Sequence, residues 1–192
     1  MSELSIDPKT TALVAIDLQH GIVALNAVPN ASKDVVARTA TIASQLRALG
    51  GTIVFVRVGN AADNGDALAP LTDTVAKPGP EKPANWSELV PELGATATDL
   101  VIMKRQWGAF FGTDLDLQLR RRGIKTIILT GIATNIGVES TARAAFEHGY
   151  NQVFVSDAMA GLSEDGHNIP LKAIFPRMGK VRSSEEVLAA LK

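Results

Sequence analysis

A chain of 192 residues with 46% hydrophobic content and 19 basic against 20 acidic side chains has the size and balance of one soluble globular domain, expected to span 1–192. It has no basic excess to draw it to nucleic acid or to an anionic membrane, and its lack of cysteine excludes disulfides, thiolate metal sites and thiol catalysis together. The polar start MSELSIDPKT lacks a signal-peptide pattern and no apolar run reaches membrane-spanning length, so a cytoplasmic location is expected.

Residues 11–18, TALVAIDL, read as a strand buried on both faces of a parallel sheet, with Asp17 at its end. A Gly/Asn/Pro loop follows. Ser32 is then placed to cap a helix running to Leu49, with Val35, Val36, Ile42, Leu46 and Leu49 inward and Gly50-Gly51 as its stop. TIVFVRV, residues 52–58, is a second buried strand, and strand–helix–strand implies a right-handed parallel crossover. Residues 59–98 carry Pro70, Pro78, Pro80, Pro83 and Pro91 without a sustained period, a length of loop that is usually functional or disordered. Within it Trp86, Asn60, Asp63 and Asn64 are weak pocket candidates, and Trp86 serves equally well to pin the loop to the core.

Residues 99–103, DLVIM, form a third strand that delivers Lys104 at its end. Thr113 is the expected N-cap of the next helix, with Asp114 and Asp116 in its first turn, Leu115 and Leu119 inward, and Gly123 as stop. Acidic residues there suit the helix dipole, so their metal-like spacing is set aside, and Arg120-Arg121-Arg122 suits the opposite end. Residues 125–150, KTIILTGIATNIGVESTARAAFEHGY, pass from an apolar strand through a short turn into a helix whose inward positions are Val138, Thr141, Ala142, Ala145 and Phe146. In that turn Thr134 and Asn135 are N-cap residues first and ligand contacts second. Residues 152–158 supply a fifth strand. A helix over about 164–177, a short strand around Lys180-Val181-Arg182 and a helix from Ser184 complete the chain.

This alternation predicts a three-layer α/β/α, doubly wound domain with a six-stranded, mainly parallel sheet. Such sheets bind ligands at the C-terminal edge of their strands. Asp17, Lys104 and Gly137 converge there if their strands are neighbours, and a carboxylate paired with an ammonium is either architectural or catalytic. Trp107, Phe110 and Phe111 wall the pocket or pack in the core, and Gln19 and Arg105 face the cavity or pack elsewhere. His20, His148 and His167 lie far apart in the chain, so no metal or other cofactor is expected. The apolar segment around Ile174, Phe175 and Met178 suits an interface or a cap on the sheet.

The runs TGIATNIGVESTARAAFEHGY, ALVAIDLQ and VIMKRQWGAFFGTDL resemble the isochorismatase-like cysteine hydrolases, which include nicotinamidases, N-carbamoylsarcosine amidases and isochorismatases. The likeness is strongest to uncharacterised bacterial isochorismatase-family proteins. The resemblance implies that Gly137 stands where relatives hold a nucleophilic cysteine, that Asp17 is the base or acid of the site, and that Lys104 orients it. It also implies a cis Ile132–Ala133 peptide, with the backbones of Ala133 and Gly137 as oxyanion donors. Gln19, Asn60, Trp107, Thr134 and Asn135 are the substrate-binding candidates. Isochorismatases carry a Gln at the end of strand two and an Arg soon after, whereas VRVGNAADNGD has Asn60 and no Arg before Lys77. The expected function is hydrolysis of a small molecule without covalent thiol catalysis, including vinyl-ether cleavage that releases pyruvate with Asp17 as general acid. The alternative is an inactive family member that binds a small carboxylate or amide. A further possibility is secondary loss of an amidase nucleophile at Gly137. The expected partners are a small-molecule substrate and further copies of the chain.

Overall fold

Six strands lie in one parallel sheet in the order β3-β2-β1-β4-β5-β6: β1 Thr11–Ile16, β2 Thr52–Val58, β3 Leu100–Lys104, β4 Thr126–Ile132, β5 Asn151–Ala160 and β6 Lys180–Arg182. The computed structural model describes residues 4–73 and 82–192; the stretch 74–81, with Lys77, Pro78 and Pro80 of the long loop, lies outside the described residues, as do 1–3. The chain leaves β1 for β2 and β3 on one side, then returns to β4 on the other. The switch point of the topology therefore falls between β1 and β4.

Helices α1 (His20–Val23) and α2 (Ser32–Ala48) follow β1, α3 (Leu115–Arg121) precedes β4, and α4 (Glu139–Glu147) follows it. Helices α5 (Glu164–Ile169) and α6 (Ser184–Ala190) flank β6. Alternation along each strand divides the apolar residues between two layers. Leu13, Phe55 and Ile128 pack with Val35, Ile42 and Leu46 of α2. Val14, Val56 and Leu129 pack with Leu115 and Leu119 of α3 and Val138, Ala142 and Ala145. Each central strand is thus apolar on both faces, which is why the sequence reads as continuous runs.

Several local expectations change in the folded chain. Ala31 takes the N-cap of α2 without a side-chain bond, and Ser32 Oγ instead donates to the Leu25 carbonyl at 3.3 Å. Gly50, at φ 84°, and Gly51 close α2 by donating to the Arg47 and Leu46 carbonyls. Asp114 holds the N-cap position of α3, while the Thr113 hydroxyl accepts from Leu115 N at 3.2 Å. Leu49 and Phe146, expected inward, are exposed, 37% and 52%, at the C-terminal ends of α2 and α4. The helix expected over about 164–177 is broken into α5, a π-type turn and a 3-10 turn, with Pro170 at the first junction. Phe175 is buried and stacks on Phe154 with ring centroids 4.1 Å apart, so this segment caps the sheet.

One glycine is required by the switch point itself. Gly131 has φ 121°, and a Cβ there would lie 2.1 Å from the Ile16 carbonyl oxygen of the neighbouring strand. Gly131→Ala is expected to destabilise the fold by about 3 kcal/mol through backbone displacement. Chemical denaturation measures this, and a loss below about 1 kcal/mol would show that β1 and β4 separate freely.

Candidate active site

The site is assembled at the C-terminal ends of β1 to β4. Asp17 is the first residue beyond β1, at φ 56°, and its N–H donates to the Val56 carbonyl at 2.9 Å. This turns the side chain out of the strand's alternation. Lys104 is the last residue of β3, in register with Val58, and reaches past β2 to Asp17. Its Nζ donates to Asp17 Oδ2 at 2.7 Å and to the Trp107 carbonyl at 2.8 Å. Both residues are buried, 6% exposed for Asp17 and 2% for Lys104.

The third position arrives from β4. The Ile132–Ala133 peptide is cis, and the chain then makes a π-type turn over Thr134–Val138 before entering α4. Val138 N donates to the Ala133 carbonyl at 3.2 Å. A Cβ on Gly137 would lie 2.9 Å from Ile16 Cγ2, 3.1 Å from Asp17 Oδ2 and 3.4 Å from Lys104 Nζ. Carboxylate, ammonium and glycine backbone therefore share one spot, and the glycine leaves room for the pair.

Burial and charge pull Asp17 in opposite directions. Desolvation penalises the carboxylate and outweighs Lys104, which favours it by charge and hydrogen bond, so the pKa is raised to about 6. Asp17 Oδ1 is buried and has no hydrogen-bond partner among the described residues. A lone buried carboxylate oxygen is unfavourable, whereas a protonated one is a donor poised to act.

A cavity of ≈ 340 Å³ opens over these groups, lined by Asp17, Lys104, Ala133 and Gly137 together with Asn60, Arg105 and Trp107. Its apolar wall comes from Ile22, Leu25, Val58, Leu68, Ile136 and Leu162. Sequence periodicity had no means of finding that wall, because Leu25, Leu68 and Leu162 are exposed loop residues without a period. A larger cavity of ≈ 550 Å³ lies at the opposite edge, beside Thr126, Asn151 and Gln152. It brings no acid and base together, and the smaller cavity is the one with chemistry in it.

The other candidates are placed elsewhere. Gln19 is fully buried; its amide donates to the Val58 and Trp86 carbonyls at 3.0 and 3.2 Å and its oxygen accepts from Val58 N at 2.7 Å. That ties the 86 loop to β2 and leaves nothing for a ligand. Trp86 packs over Gly21, where a Cβ would lie 2.1 Å from its Nε1, so it pins the loop. Asp63 and Asn64 are exposed and do not line the cavity. Thr134 is buried with Oγ1 2.9 Å from His167 Nδ1, and Asn135 is exposed beside Gly166. Neither lines the cavity or caps α4 by its side chain, because the π-type turn runs straight into the helix. Burial also lowers the His167 pKa, which keeps this partner of Thr134 neutral at pH 7. Trp107 stands at the rim, 62% exposed, Phe110 is in the core and Phe111 is 82% exposed. Among the described residues, no three His, Cys, Asp or Glu side chains are grouped to hold a metal ion. Asp114 accepts from the Gln118 amide and Asp116 from Arg120 and the Tyr150 hydroxyl.

The doubly wound parallel sheet thus carries an acid–ammonium pair and a cis-peptide turn at its switch point. The isochorismatase domain model matches residues 11–186, and the chain belongs to the isochorismatase family. It is similar to the uncharacterised isochorismatase family protein YwoC of Bacillus subtilis (strain 168), with 53% identity over 197 residues and all of both chains covered. The structure of an isochorismatase family protein from Burkholderia thailandensis superposes with a TM-score of 0.93 at 51% identity, covering 99% of each chain. The ureidoacrylate amidohydrolase RutB of Variovorax paradoxus (strain S110) is 30% identical over 177 residues, 81% of this chain and 70% of that one.

Proposed function

We propose that the protein hydrolyses a small vinyl ether, releasing pyruvate, by acid catalysis from Asp17 and without a covalent intermediate. The observation that carries this reading is the buried Asp17 carboxyl, with Oδ2 held by Lys104 next to the Gly137 position and Oδ1 unpartnered among the described residues. The resemblance assigns the Gly137 position a nucleophilic cysteine, and this chain has neither thiol there nor any elsewhere.

In the proposed reaction Asp17, protonated, gives its proton to the terminal methylene carbon of the enol ether. Positive charge develops on the ether carbon and its oxygen. Water adds to that carbon and returns a proton to Asp17, and the resulting hemiketal collapses to pyruvate and an alcohol. Lys104 stabilises the carboxylate left after the first proton transfer, and a pKa near the working pH suits an acid that must also recover its proton. The backbones of Ala133 and Gly137 supply dipoles at the sheet edge for the departing oxygen.

The test is pyruvate release from isochorismate by the purified protein. Asp17 must be protonated to start the reaction, so the rate is expected to fall as pH rises through about 6. No pyruvate between pH 5 and 8, or a rate that rises across that range, would overturn the reading. Binding of a small carboxylate without turnover would leave the protein as a binding member of its family.

A further inference from the structure

The cavity holds a second cation whose role the reaction above does not use. Arg105 directly follows Lys104, lines the same cavity and forms an ion pair with Asp66. That pair runs from Nε to Asp66 Oδ2, and no other hydrogen bond of the Arg105 side chain is found among the described residues. Asp66 Oδ1 accepts from Ala61 N at 2.7 Å, so one carboxylate closes the 61–66 loop and anchors the guanidinium at Nε. Asn60, Ala67 and Leu68, at the ends of that loop, line the cavity too.

We propose that Arg105 is the carboxylate-binding residue of this cavity, held at Nε by Asp66 and presenting its two Nη groups to an anionic substrate. A guanidinium offers a planar fork that fits a carboxylate through two parallel hydrogen bonds, and anchoring one nitrogen limits the freedom lost on binding. Lys104 engages Asp17 and Arg105 engages Asp66, so each cation has one carboxylate, and the anion would be drawn by the Nη donors that the Asp66 contact at Nε leaves over, not by an excess of positive charge. The apolar wall accepts the body of a ring-sized acid. This inference names the substrate class of the proposed reaction but does not need that reaction to occur.

Calorimetric titration with benzoate and with benzamide, its neutral isostere, tests the proposal. The wild type is expected to bind benzoate more tightly than benzamide at pH 7.5, and Arg105→Gln to reduce that preference about tenfold or more, the range of a charge-assisted hydrogen bond. Asp66→Asn separates a ligand contact from a merely structural role. If Arg105 only fastens the loop, Asp66→Asn loses the preference as Arg105→Gln does; if Arg105 binds the carboxylate, Asp66→Asn retains it. Equal loss in both variants, an unchanged preference in Arg105→Gln, or no preference for benzoate in the wild type would each overturn the proposal. A protein that fails to turn over isochorismate yet shows an Arg105-dependent acid preference would refute the vinyl-ether reading and leave this one standing.

Discussion

Asp17→Asn is expected to lower pyruvate release by about 10²–10⁴-fold, the usual contribution of a positioned general acid. Asparagine keeps the volume and an oxygen for Lys104 Nζ, but it has no proton to give to carbon. The fold should survive, because below pH 6 wild-type Asp17 is itself largely uncharged. The two proteins also differ in how stability depends on pH. The folded pKa of Asp17 is raised above its ordinary value of 3.8 to about 6, so between these values the native state binds more protons than the unfolded chain. Stability from this group is therefore full below pH 4 and declines as pH rises to about 6, by about 3 kcal/mol in all. Asp17→Asn should lack that decline. Thermal unfolding at pH 4 and pH 7 measures the difference, and a wild type equally stable at both, with other carboxylates accounted for by the variant, would remove the case for a proton held by burial.

The second large effect concerns Lys104. Lys104→Met preserves bulk while removing the charge that opposes burial at Asp17. The carboxyl pKa should then rise further, and the falling limb of any pH–rate profile should move to higher pH. Stability responds with a definite sign. At pH 8 the variant must either keep an unpaired buried carboxylate or protonate it against the solvent, a loss of about 3–5 kcal/mol for a broken buried pair. At pH 5, where Asp17 holds its proton in both proteins, the loss should be much smaller. Denaturation at the two pH values decides the matter. An equal loss at both would assign Lys104 to packing and to the Trp107 carbonyl that it also holds, and charge coupling to Asp17 would have no part.

Much of the architecture was legible because its signals are local. The runs at 11–18, 52–58 and 125–132 each carry an unbroken apolar stretch, Ala12 to Ile16, Ile53 to Val56 and Ile127 to Leu129, as strands covered on both faces do, and all three stretches lie in the sheet. Ser183 and Glu186 form a complete capping box at α6, a pattern written within four residues. Local rules failed where a distant partner competes. Ser32 was a good cap by type, but its hydroxyl meets Leu25. Thr134 was another, and buried His167, 33 residues on, takes its hydroxyl. Gln19 stood beside the acid in sequence, yet the backbone of β2 claims both ends of its amide.

Composition and order of residues alone determined that no thiol takes part, that strands alternate with helices, and that Asp17, Lys104 and Gly137 stand at strand or helix ends. These follow from residue type and short-range periodicity, which do not depend on neighbours in space. Only the tertiary structure decided that the three meet, since Lys104 must cross β2 and Asp17 must turn out of its strand for Nζ and Oδ2 to come within 2.7 Å. It decided as well that burial outweighs the ion pair at Asp17, and that Arg105 opens on the same cavity under the hold of Asp66. Desolvation and charge coupling are set by everything packed around a group, and that surrounding exists only once the chain is folded.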